Sequence, residues 1–398
     1  MLANPENVDV RENPFATKVA PTKTRTDKFL YTRSAFFEYI SDFVVSYFFR
    51  TFFGSLSSWR SVVSLPHAPD ASLVDPFGRR ITYLRLSVTD RCDFRCTYCM
   101  SEDMQFAPRA QILTLEELYA VADAFIGLGV KRIRITGGEP LVRKGVVGLL
   151  QRLGARSELD DLAITTNGSQ LGSMAGQLRD AGVKRLNISL DSLQRERFAA
   201  FTRRDALDQV LAGIEAARAA GFARIKLNCV VQRGRNDDEV HDLVQFAVER
   251  GLDVSFIEEM PLGSVTSHQR EQTFCSSDQV RALIEQRFAL VRSSRVTGGP
   301  SRYWQVVGSD TQVGFISPHS HNFCGECNRV RVTAEGKLVL CLGHEGALDL
   351  KSLMRAHPGD SERLRQALVN ALQLKPERHH FDQAEQVQVL RFMSMTGG

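Results

Sequence analysis

Apolar runs rich in β-branched residues alternate with amphipathic stretches between residues 81 and 260. Nearly continuous apolar runs are typical of strands that are buried on both faces of a parallel sheet. The stretches between them place apolar side chains at helical spacing, and several end on a glycine, as helices often do. The predicted strands are 81–88, 132–136, 162–166, 185–190, 224–231 and 254–260, and the predicted helices are 114–128, 172–181, 206–220 and 237–250. This alternation predicts an α/β fold.

The number of strand–helix units limits the architecture. Six units are too few for a closed eight-stranded barrel, which leaves a partial barrel or an open doubly wound sheet. Both architectures place the functional site at the carboxyl ends of the strands. After residue 261 the alternation stops, and short strands are predicted at 301–307, 312–316, 329–333 and 337–341, with helices at 349–355 and 362–372.

Residues 1–72 are rich in aromatic side chains and differ from the rest of the chain. Between residues 35 and 54, Glu38, Asp42, Ser46 and Arg50 recur at every fourth position, so a helix there would carry one narrow polar stripe. Such a helix fits a membrane surface or a docking partner. The segment equally fits non-native sequence added by an upstream start codon. No uncharged apolar run reaches the roughly 18 residues that a transmembrane helix needs.

Composition and charge exclude several classes of protein. The 398 residues, 43% apolar and 24% charged, have the makeup of a globular protein with room for two or three domains. The net charge of +4 suits an anionic substrate, and the absence of a polybasic run argues against a nucleic-acid partner. Eight cysteines in a long chain without a secretory signal favour metal binding or catalysis over disulfides.

Three cysteines follow the first predicted strand at the spacing Cys-x3-Cys-x2-Cys, namely Cys92, Cys96 and Cys99. Three thiolates this close together hold an iron–sulfur cluster or zinc, because both metals prefer sulfur. A set of three leaves one position open, as catalytic metals do, whereas a structural zinc site is closed by a fourth protein ligand. A zinc site with a distant fourth ligand is the alternative.

Three further cysteines near the C-terminus, Cys324, Cys327 and Cys341, form a second triplet. His344 follows the last of them by three positions, so a Cys3His zinc ribbon is a serious alternative to a second cluster. The other two cysteines, Cys229 and Cys275, belong to neither triplet and are predicted to be buried as small apolar side chains.

Cations occur where apolar strands are predicted, and each would be costly there unless it is paired. Arg85, Arg134 and Lys226 lie within such strands. Arg329 and Arg331 alternate along one short strand and therefore share a face. Arginine offers forked donors to phosphate oxygens, so this set fits a triphosphate. Structural ion pairs are the alternative for any one of them.

Several motifs together resemble one family. They are the first triplet with an aromatic residue before its last cysteine, the Gly-Gly-Glu-Pro turn at 137–140, the Cys-x2-Cys-Asn-Arg-x-Arg run at 324–331 with its third cysteine, and the terminal Gly-Gly. The sequence from residue 73 to 398 resembles the GTP 3′,8-cyclase family of the radical S-adenosylmethionine superfamily. The resemblance implies a partial (β/α)6 TIM-like barrel over 73–261, a C-terminal iron–sulfur cluster and substrate domain over 262–398, and an unassigned extension over 1–72.

The resemblance also implies an activity and its site. It implies a lyase that converts GTP to (8S)-3′,8-cyclo-7,8-dihydro-GTP, the first step of molybdenum cofactor (molybdopterin) biosynthesis, with two [4Fe–4S] clusters and S-adenosylmethionine as cofactors. The six clustered cysteines are the implied metal ligands. The implied S-adenosylmethionine contacts are Tyr98, Gly138, Ser189 and Met260. The implied GTP contacts are Arg85, Arg134, Thr165, Lys226, Arg329, Val330 and Arg331. The tail residues Gly397 and Gly398 are implied to reach the substrate.

The implied partners are an electron donor of the flavodoxin or ferredoxin type, a downstream cyclic pyranopterin monophosphate synthase and a second copy of the chain in a homodimer. The implied location is the cytoplasm, or the mitochondrion in a eukaryote. Two rival interpretations stay open. One is a radical S-adenosylmethionine enzyme that modifies a peptide, although such enzymes usually have more C-terminal cysteines. The other is a non-enzymatic zinc or iron–sulfur binding module, which would not need inward-facing cations.

Overall fold

The computed structural model of this chain describes residues 73–263, 268–379, 381 and 391–397. The predictions for residues 1–72, including the polar stripe, lie outside the described residues, as does the predicted tail residue Gly398. The described strands are β1 (Tyr83–Ser87), β2 (Arg132–Thr136), β3 (Asp161–Thr166), β4 (Arg185–Ser189), β5 (Arg224–Val231), β6 (Asp253–Glu258), β7 (Leu290–Arg292), β8 (Arg302–Val306), β9 (Gln312–Ile316), β10 (Arg329–Val332), β11 (Lys337–Val339) and β12 (Ala347–Asp349).

The described strands form one sheet in the order β12-β11-β10-β1-β2-β3-β4-β5-β6-β9-β8-β7. Strands β1 to β6 are parallel neighbours in chain order, as the alternating sequence pattern predicts. Strand β10 pairs with β1 and strand β9 with β6, both in parallel, so the C-terminal strands extend the sheet at both edges. The outermost pairs are antiparallel. The predicted domain boundary at residue 261 therefore does not separate two sheets.

The described helices are α1 (Leu115–Gly127), α2 (Val146–Gly154), α3 (Leu171–Asp180), α4 (Arg195–Thr202), α5 (Leu207–Ala219), α6 (Val240–Arg250), α7 (Arg270–Thr273), α8 (Ser277–Glu285), α9 (Leu350–Ala356), α10 (Ser361–Leu372) and α11 (Met393–Thr396). Helices α1 to α6 connect the parallel strands β1 to β6, and the other five described helices follow β6 along the chain. The sequence predicts α1, α3, α5, α6, α9 and α10 but not α2, α4, α7, α8 or α11. A capping box formed by Thr114 and Glu117 starts α1, as their spacing predicts.

One hydrophobic cluster joins the strands to the helices that cover them. Cys229 and Cys275 are 0% and 4% exposed and belong to this cluster, which confirms that they are buried apolar side chains. Among the described residues, no helix is long and apolar enough to cross a membrane.

Candidate active site

One cavity of about 280 Å³, here called the inner cavity, brings together residues from nearly every strand of the sheet. Side chains of β1 to β6, β9 and β10 line it, which is consistent with a sheet that curves around it as a partial barrel does. Of the predicted site residues that the structure describes, all except Gly397 line this cavity. They are Arg85, Cys92, Cys96, Tyr98, Cys99, Arg134, Gly138, Thr165, Ser189, Lys226, Met260, Cys324, Cys327, Arg329, Val330, Arg331 and Cys341.

The loop that carries the first triplet leaves the carboxyl end of β1 and is held from two sides. The carboxylate of Asp93 accepts hydrogen bonds from Asn167 Nδ2 and Ser169 Oγ, both at 2.6 Å, which ties the loop to the end of β3. The Thr97 amide donates to the Phe201 carbonyl at 2.9 Å, which ties it to α4. The cysteines are thus fixed in place by groups that are not themselves predicted ligands.

Burial raises the pKa of Cys92 and of Cys99 to about 12, and it raises the pKa of Cys96 well above its usual value. Thiols of this kind stay protonated at neutral pH, whereas a bound metal deprotonates a coordinating thiol outright. No group of His, Cys, Asp or Glu side chains among the described residues is arranged to hold a single metal ion. Iron–sulfur clusters are held by cysteine thiolates. The all-sulfur set of three therefore fits such a cluster.

The Gly-Gly-Glu-Pro turn packs directly against the first cysteine loop. The Gly138 amide donates to the Thr89 carbonyl and the Glu139 amide to the Arg91 carbonyl, both at 2.8 Å. A Cβ atom on Gly138 would overlap the Arg91 carbonyl oxygen, so only glycine allows this approach. The family resemblance implies that Gly138 contacts S-adenosylmethionine. The structure adds a second reason for glycine at this position, which is the close passage of the cysteine loop.

The carboxylate of Glu139 is fully buried, and burial raises its pKa to about 7. It accepts hydrogen bonds from the Leu141 amide at 2.9 Å, from Thr166 Oγ1 at 2.8 Å and from the Asn167 amide at 2.6 Å. These bonds join the turn after β2 to the end of β3. Glu139 therefore braces the part of the site where Gly138 lies.

Tyr98 is anchored on the same side of the inner cavity. Its hydroxyl donates to Asp191 Oδ2 at 2.7 Å, and Asp191 Oδ1 accepts from the Val230 amide at 2.9 Å. Asp191 is 4% exposed, and burial raises its pKa to about 6. Ser189 ends β4 and Met260 follows β6, so both lie at carboxyl strand ends, as the fold predicts.

The second triplet lies at the opposite end of the sheet. Cys327 stands before the first residue of β10, which runs parallel to β1, whereas the first triplet follows the last residue of β1. The antiparallel pairing of β10 with β11 returns the chain, so that Cys341 comes back to the end where Cys327 lies. The expectation that the whole site lies at carboxyl strand ends is therefore wrong for this triplet. Sequence spacing alone does not show toward which end the later strand runs.

The thiols of the second triplet differ in acidity. Burial raises the pKa of Cys327, but the positive charges of Lys375 and Arg329 outweigh it and lower that pKa to about 7. Burial raises the pKa of Cys324 and of Cys341. Lys375 is 3% exposed and donates to the carbonyl of Arg329 at 3.3 Å. A buried cation beside three thiols stabilises their thiolate forms, and the thiolate is the form that binds a metal.

His344, the fourth ligand of the zinc-ribbon alternative, does not line the inner cavity as the three cysteines do, and its Nε2 lies 3.1 Å from the Arg378 carbonyl. The arrangement thus provides no support for the zinc-ribbon alternative, and the donor set at this end again consists of three sulfurs.

Three arginines stand side by side in the wall between the triplets. Arg85 of β1 is in register with Arg134 of β2 on one side and with Arg331 of β10 on the other. Burial lowers the pKa of Arg85 well below its usual value, and the charges of Arg331 and Arg134 lower it further. Burial and the charge of Arg329 lower the pKa of Arg331 to about 10. Like charges on paired strands repel one another, so this wall favours a bound anion.

The described part of the chain leaves some cavity-lining donors unsatisfied. Arg85 Nε, Arg134 Nε and Thr165 Oγ1 are buried without a hydrogen-bond partner among the described residues. Buried polar groups are nearly always hydrogen-bonded, so orphaned ones that face a cavity indicate a polar ligand. Val330 is 2% exposed and packs in the core, so it offers the cavity its main chain rather than its side chain.

The C-terminal tail reaches two of the three arginines. The Gly397 carbonyl accepts a hydrogen bond from Arg85 Nη2 at 3.2 Å and one from Arg331 Nη1 at 3.3 Å. Gly397 has a φ of +80°, and a Cβ atom there would overlap Thr136 Oγ1. A terminal glycine pair normally suggests a frayed end. Here the described glycine packs against Ser87 of β1 and Thr136 of β2.

Sequence reasoning missed several residues of this region, among them Tyr83 and Asn187, which line the inner cavity, and Tyr303, which contacts Lys226 of its wall. Asn187 is 4% exposed, and its Nδ2 has no hydrogen-bond partner among the described residues. A polar amide in the apolar run 185–190 is the same kind of anomaly as Lys226 and was a usable signal. The Tyr303 hydroxyl lies 3.2 Å from Lys226 Nζ. Tyr303 is part of β8, and no local sequence pattern connects β8 with the parallel strands β1 to β6.

Family models match most of the described chain. Residues 86–247 match the model of the radical SAM superfamily, and residues 252–381 match the model described as Molybdenum Cofactor Synthesis C. The two matches follow one another along the chain, the first from the end of β1 through β5 and most of α6, and the second from β6 through the segment that carries the second triplet.

Curated relatives match most of the chain. The chain is 86% identical over 326 residues to a GTP 3′,8-cyclase of Ectopseudomonas mendocina, and the match covers 82% of this chain and 98% of the relative. It is 77% identical over 329 residues to GTP 3′,8-cyclase 2 of Pseudomonas aeruginosa, with 83% and 99% covered.

A solved structure resembles the fold. The crystal structure of Streptococcus suis SuiB bound to S-adenosylmethionine superposes with a TM-score of 0.51 at 14% identity, covering 79% of this chain and 77% of that one. At this identity the likeness concerns the fold alone, and it does not support the peptide-modifying alternative.

Proposed function

The chain belongs to the GTP 3′,8-cyclase family of radical S-adenosylmethionine enzymes, and from this membership we propose that its inner cavity binds GTP and converts it to 3′,8-cyclo-7,8-dihydro-GTP. This reaction begins molybdenum cofactor biosynthesis. The enzyme uses two [4Fe–4S] clusters and S-adenosylmethionine. The observation that carries the proposal is the row of Arg331, Arg85 and Arg134 across three paired strands, in a cavity that both cysteine triplets line.

The two triplets would hold two clusters with different roles, one at each end of the cavity. Cys92, Cys96 and Cys99 would hold one cluster near Tyr98 and Ser189, the residues that we propose contact S-adenosylmethionine. Cys324, Cys327 and Cys341 would hold the other cluster near the guanine. When bound, the first cluster and S-adenosylmethionine supply a carbon radical that removes a hydrogen atom from the ribose. The side chains of the cavity wall would bind the nucleotide and orient its ribose.

We assign the triphosphate to the cations between the triplets. Arg85, Arg134 and Arg331 lie next to one another on β1, β2 and β10, and Lys226 stands on β5. Phosphate oxygens bound by these cations would relieve the repulsion between the cations. The same contacts would hold the triphosphate end of the nucleotide in place. With that end fixed, the ribose is held in one orientation, and orientation of this kind contributes strongly to the rate.

Replacing Arg331 with alanine is expected to weaken GTP binding by about tenfold or more, because a hydrogen bond to a charged partner contributes about 1.5–3 kcal/mol. Equilibrium binding to the cluster-reconstituted protein measures this change. GMP should bind the unmodified protein more weakly than GTP, and the difference between the two should shrink in the variant. The comparison with GMP separates loss of a phosphate contact from loss of the contact with Gly397.

Arg179→Ala is the matched control, because Arg179 is exposed on α3 and lines no part of the inner cavity. It should leave GTP binding unchanged. Equal affinities of the unmodified protein for GTP, GMP and guanosine would contradict the assignment of the triphosphate. Failure to form the cyclised nucleotide from GTP, S-adenosylmethionine and a reductant would contradict the activity itself.

A chain that begins near residue 73 is expected to keep full cyclase activity. The matches to the two relatives cover 98% and 99% of those proteins but 82% and 83% of this chain. All predicted site residues lie beyond residue 73. Product formation by the truncated and full-length chains, assayed side by side with equal iron content, measures the difference. Insolubility or loss of activity in the shorter chain would show that the extension supports the catalytic region.

We propose the remaining partners from the family alone. They are a flavodoxin- or ferredoxin-type electron donor, a downstream cyclic pyranopterin monophosphate synthase and a second copy of this chain. The relatives described above are bacterial, so we propose a cytoplasmic location; they lend no support to the mitochondrial alternative.

A further inference from the structure

A second cavity, of about 480 Å³, adjoins the inner cavity and is here called the outer cavity. Its wall is built mainly by residues 292–304, which include the connection between β7 and β8. Five residues line both cavities, namely Gly299, Pro300, Ser301, Phe323 and Arg329. The two spaces therefore meet at a shared wall.

The outer cavity lies at the amino ends of the parallel strands. Arg329 begins β10 and is in register with Tyr83, which begins β1. Gly298 lies against Arg132, which begins β2, since a Cβ atom on Gly298 would be 2.6 Å from Arg132 Nη1. This end is opposite to the loop that holds the first triplet. Arg329 and Arg331 share one face of β10, so the strand carries positive charge from the outer cavity into the inner one.

Positive charge dominates the wall of the outer cavity. It contains Arg292, Arg295, Arg302 and Arg329, against one carboxylate, that of Glu326. Arg295 is partly neutralised, because its Nη1 lies 3.4 Å from the carboxylate oxygens of Asp253. Arg292 and Arg302 are exposed, and neither forms an ion pair within the described part of the chain.

We propose that the outer cavity is an additional oligophosphate-binding subsite, which takes the phosphate chain of the nucleotide as it approaches the inner cavity. Arginine binds phosphate oxygens through two parallel donors, and a cleft lined by one sign of charge concentrates oppositely charged ligands. The proposal rests on the proposed function only in naming a nucleoside triphosphate as the source of the phosphates. A free oligophosphate has the same chemistry, and the experiment distinguishes the two sources.

The probe is inorganic tripolyphosphate, which has neither the guanine nor the ribose. Its binding to the cluster-reconstituted full chain is measured by calorimetry for the unmodified protein and for the double variant Arg292→Glu/Arg302→Glu. We expect the double variant to bind tripolyphosphate about tenfold more weakly, as loss of a charge-assisted contact predicts. The difference should decrease as ionic strength rises, because these side chains are exposed.

The matched control is Arg179→Glu/Arg287→Glu, which makes the same change in net charge with exposed arginines that line neither cavity. Both double variants should keep their iron content and unfolding temperature. Equal tripolyphosphate affinities for the two double variants would overturn the proposal, since only net charge would then matter.

GTP identifies the source of the phosphates. If the subsite serves the nucleotide, the rate of GTP association at low ionic strength should also fall about tenfold in Arg292→Glu/Arg302→Glu, because basic clefts accelerate the approach of anions. Weaker tripolyphosphate binding with unchanged GTP association would support the subsite with free oligophosphate as its ligand. Product formation from GTP is assayed separately, so failure of the cyclase function leaves the tripolyphosphate result interpretable, and the reverse also holds.

Discussion

Replacing Cys92, Cys96 and Cys99 together with alanine is expected to remove about four of about eight irons and to abolish cleavage of S-adenosylmethionine. The three thiols are the all-sulfur donor set at the carboxyl end of β1, in a loop that Asp93 ties to β3. Because the bonds from Asn167 and Ser169 to Asp93 need no sulfur atom, the loop should stay tied to β3 when the sulfurs are lost, although Asn167 also loses its contact with Cys92 Sγ. Iron and acid-labile sulfide, measured after anaerobic reconstitution, report the cluster content.

The same change at Cys324, Cys327 and Cys341 should also remove about four irons but leave some reductive cleavage of S-adenosylmethionine. The two sets should behave independently, since the triplets lie at opposite ends of the parallel strands. Cys275→Ala is the control, because Cys275 is buried and belongs to neither triplet; its iron content should not change. Stoichiometric zinc without iron at the second triplet, after anaerobic purification, would show that this triplet is a zinc site.

Gly397→Ala is expected to lower product formation by about a hundredfold, which is the scale of loss that follows a misplacement of about 1 Å in a catalytic site. An alanine there would have an unfavourable positive φ, and its methyl group would overlap Thr136 Oγ1. The tail would shift, and its carbonyl would leave Arg85 and Arg331. Product is quantified from GTP under reducing conditions, together with iron content and cleavage of S-adenosylmethionine without GTP, both of which should be unchanged.

Gly359→Ala provides a matched control. Gly359 has nearly the same backbone conformation, with a φ of +79°, but a Cβ atom there would meet nothing within 4 Å. It lies between α9 and α10 and lines neither cavity. Its substitution should cost some stability and no activity. A Gly397→Ala enzyme as active as the Gly359→Ala enzyme would rule out a role for the tail position.

The periodic pattern predicts the six parallel strands almost residue by residue, because each is a local apolar run bounded by turn signals. Arg132–Thr136 and Arg224–Val231 have the predicted bounds. The pattern does not predict that β9 and β10 join the two edges of that set. Those pairings connect strands far apart in the chain, and no local property of a short apolar run specifies its partner.

The candidate site was also predictable only in part from the sequence. Cysteine spacing and buried cations predict which residues matter, because a charge or thiol in an apolar context is visible in the sequence. Their relation in space is not visible there. That Arg331 stands next to Arg85 follows from the pairing of β10 with β1, and Tyr303 approaches Lys226 only because β8 pairs with β9.

The pairing of β10 with β1 also sets an order of events during synthesis. Thr82 and Asn328, which are hydrogen-bonded to each other at this junction, are 246 positions apart in the chain. Until the ribosome has released β9 and β10, both β1 and β6 expose unpaired edges, and exposed edges of parallel strands invite aggregation. Nascent chains that stall before residue 332 should therefore depend on chaperones. Iron delivered early would meet only the first triplet, because the second is among the last parts of the sheet to emerge.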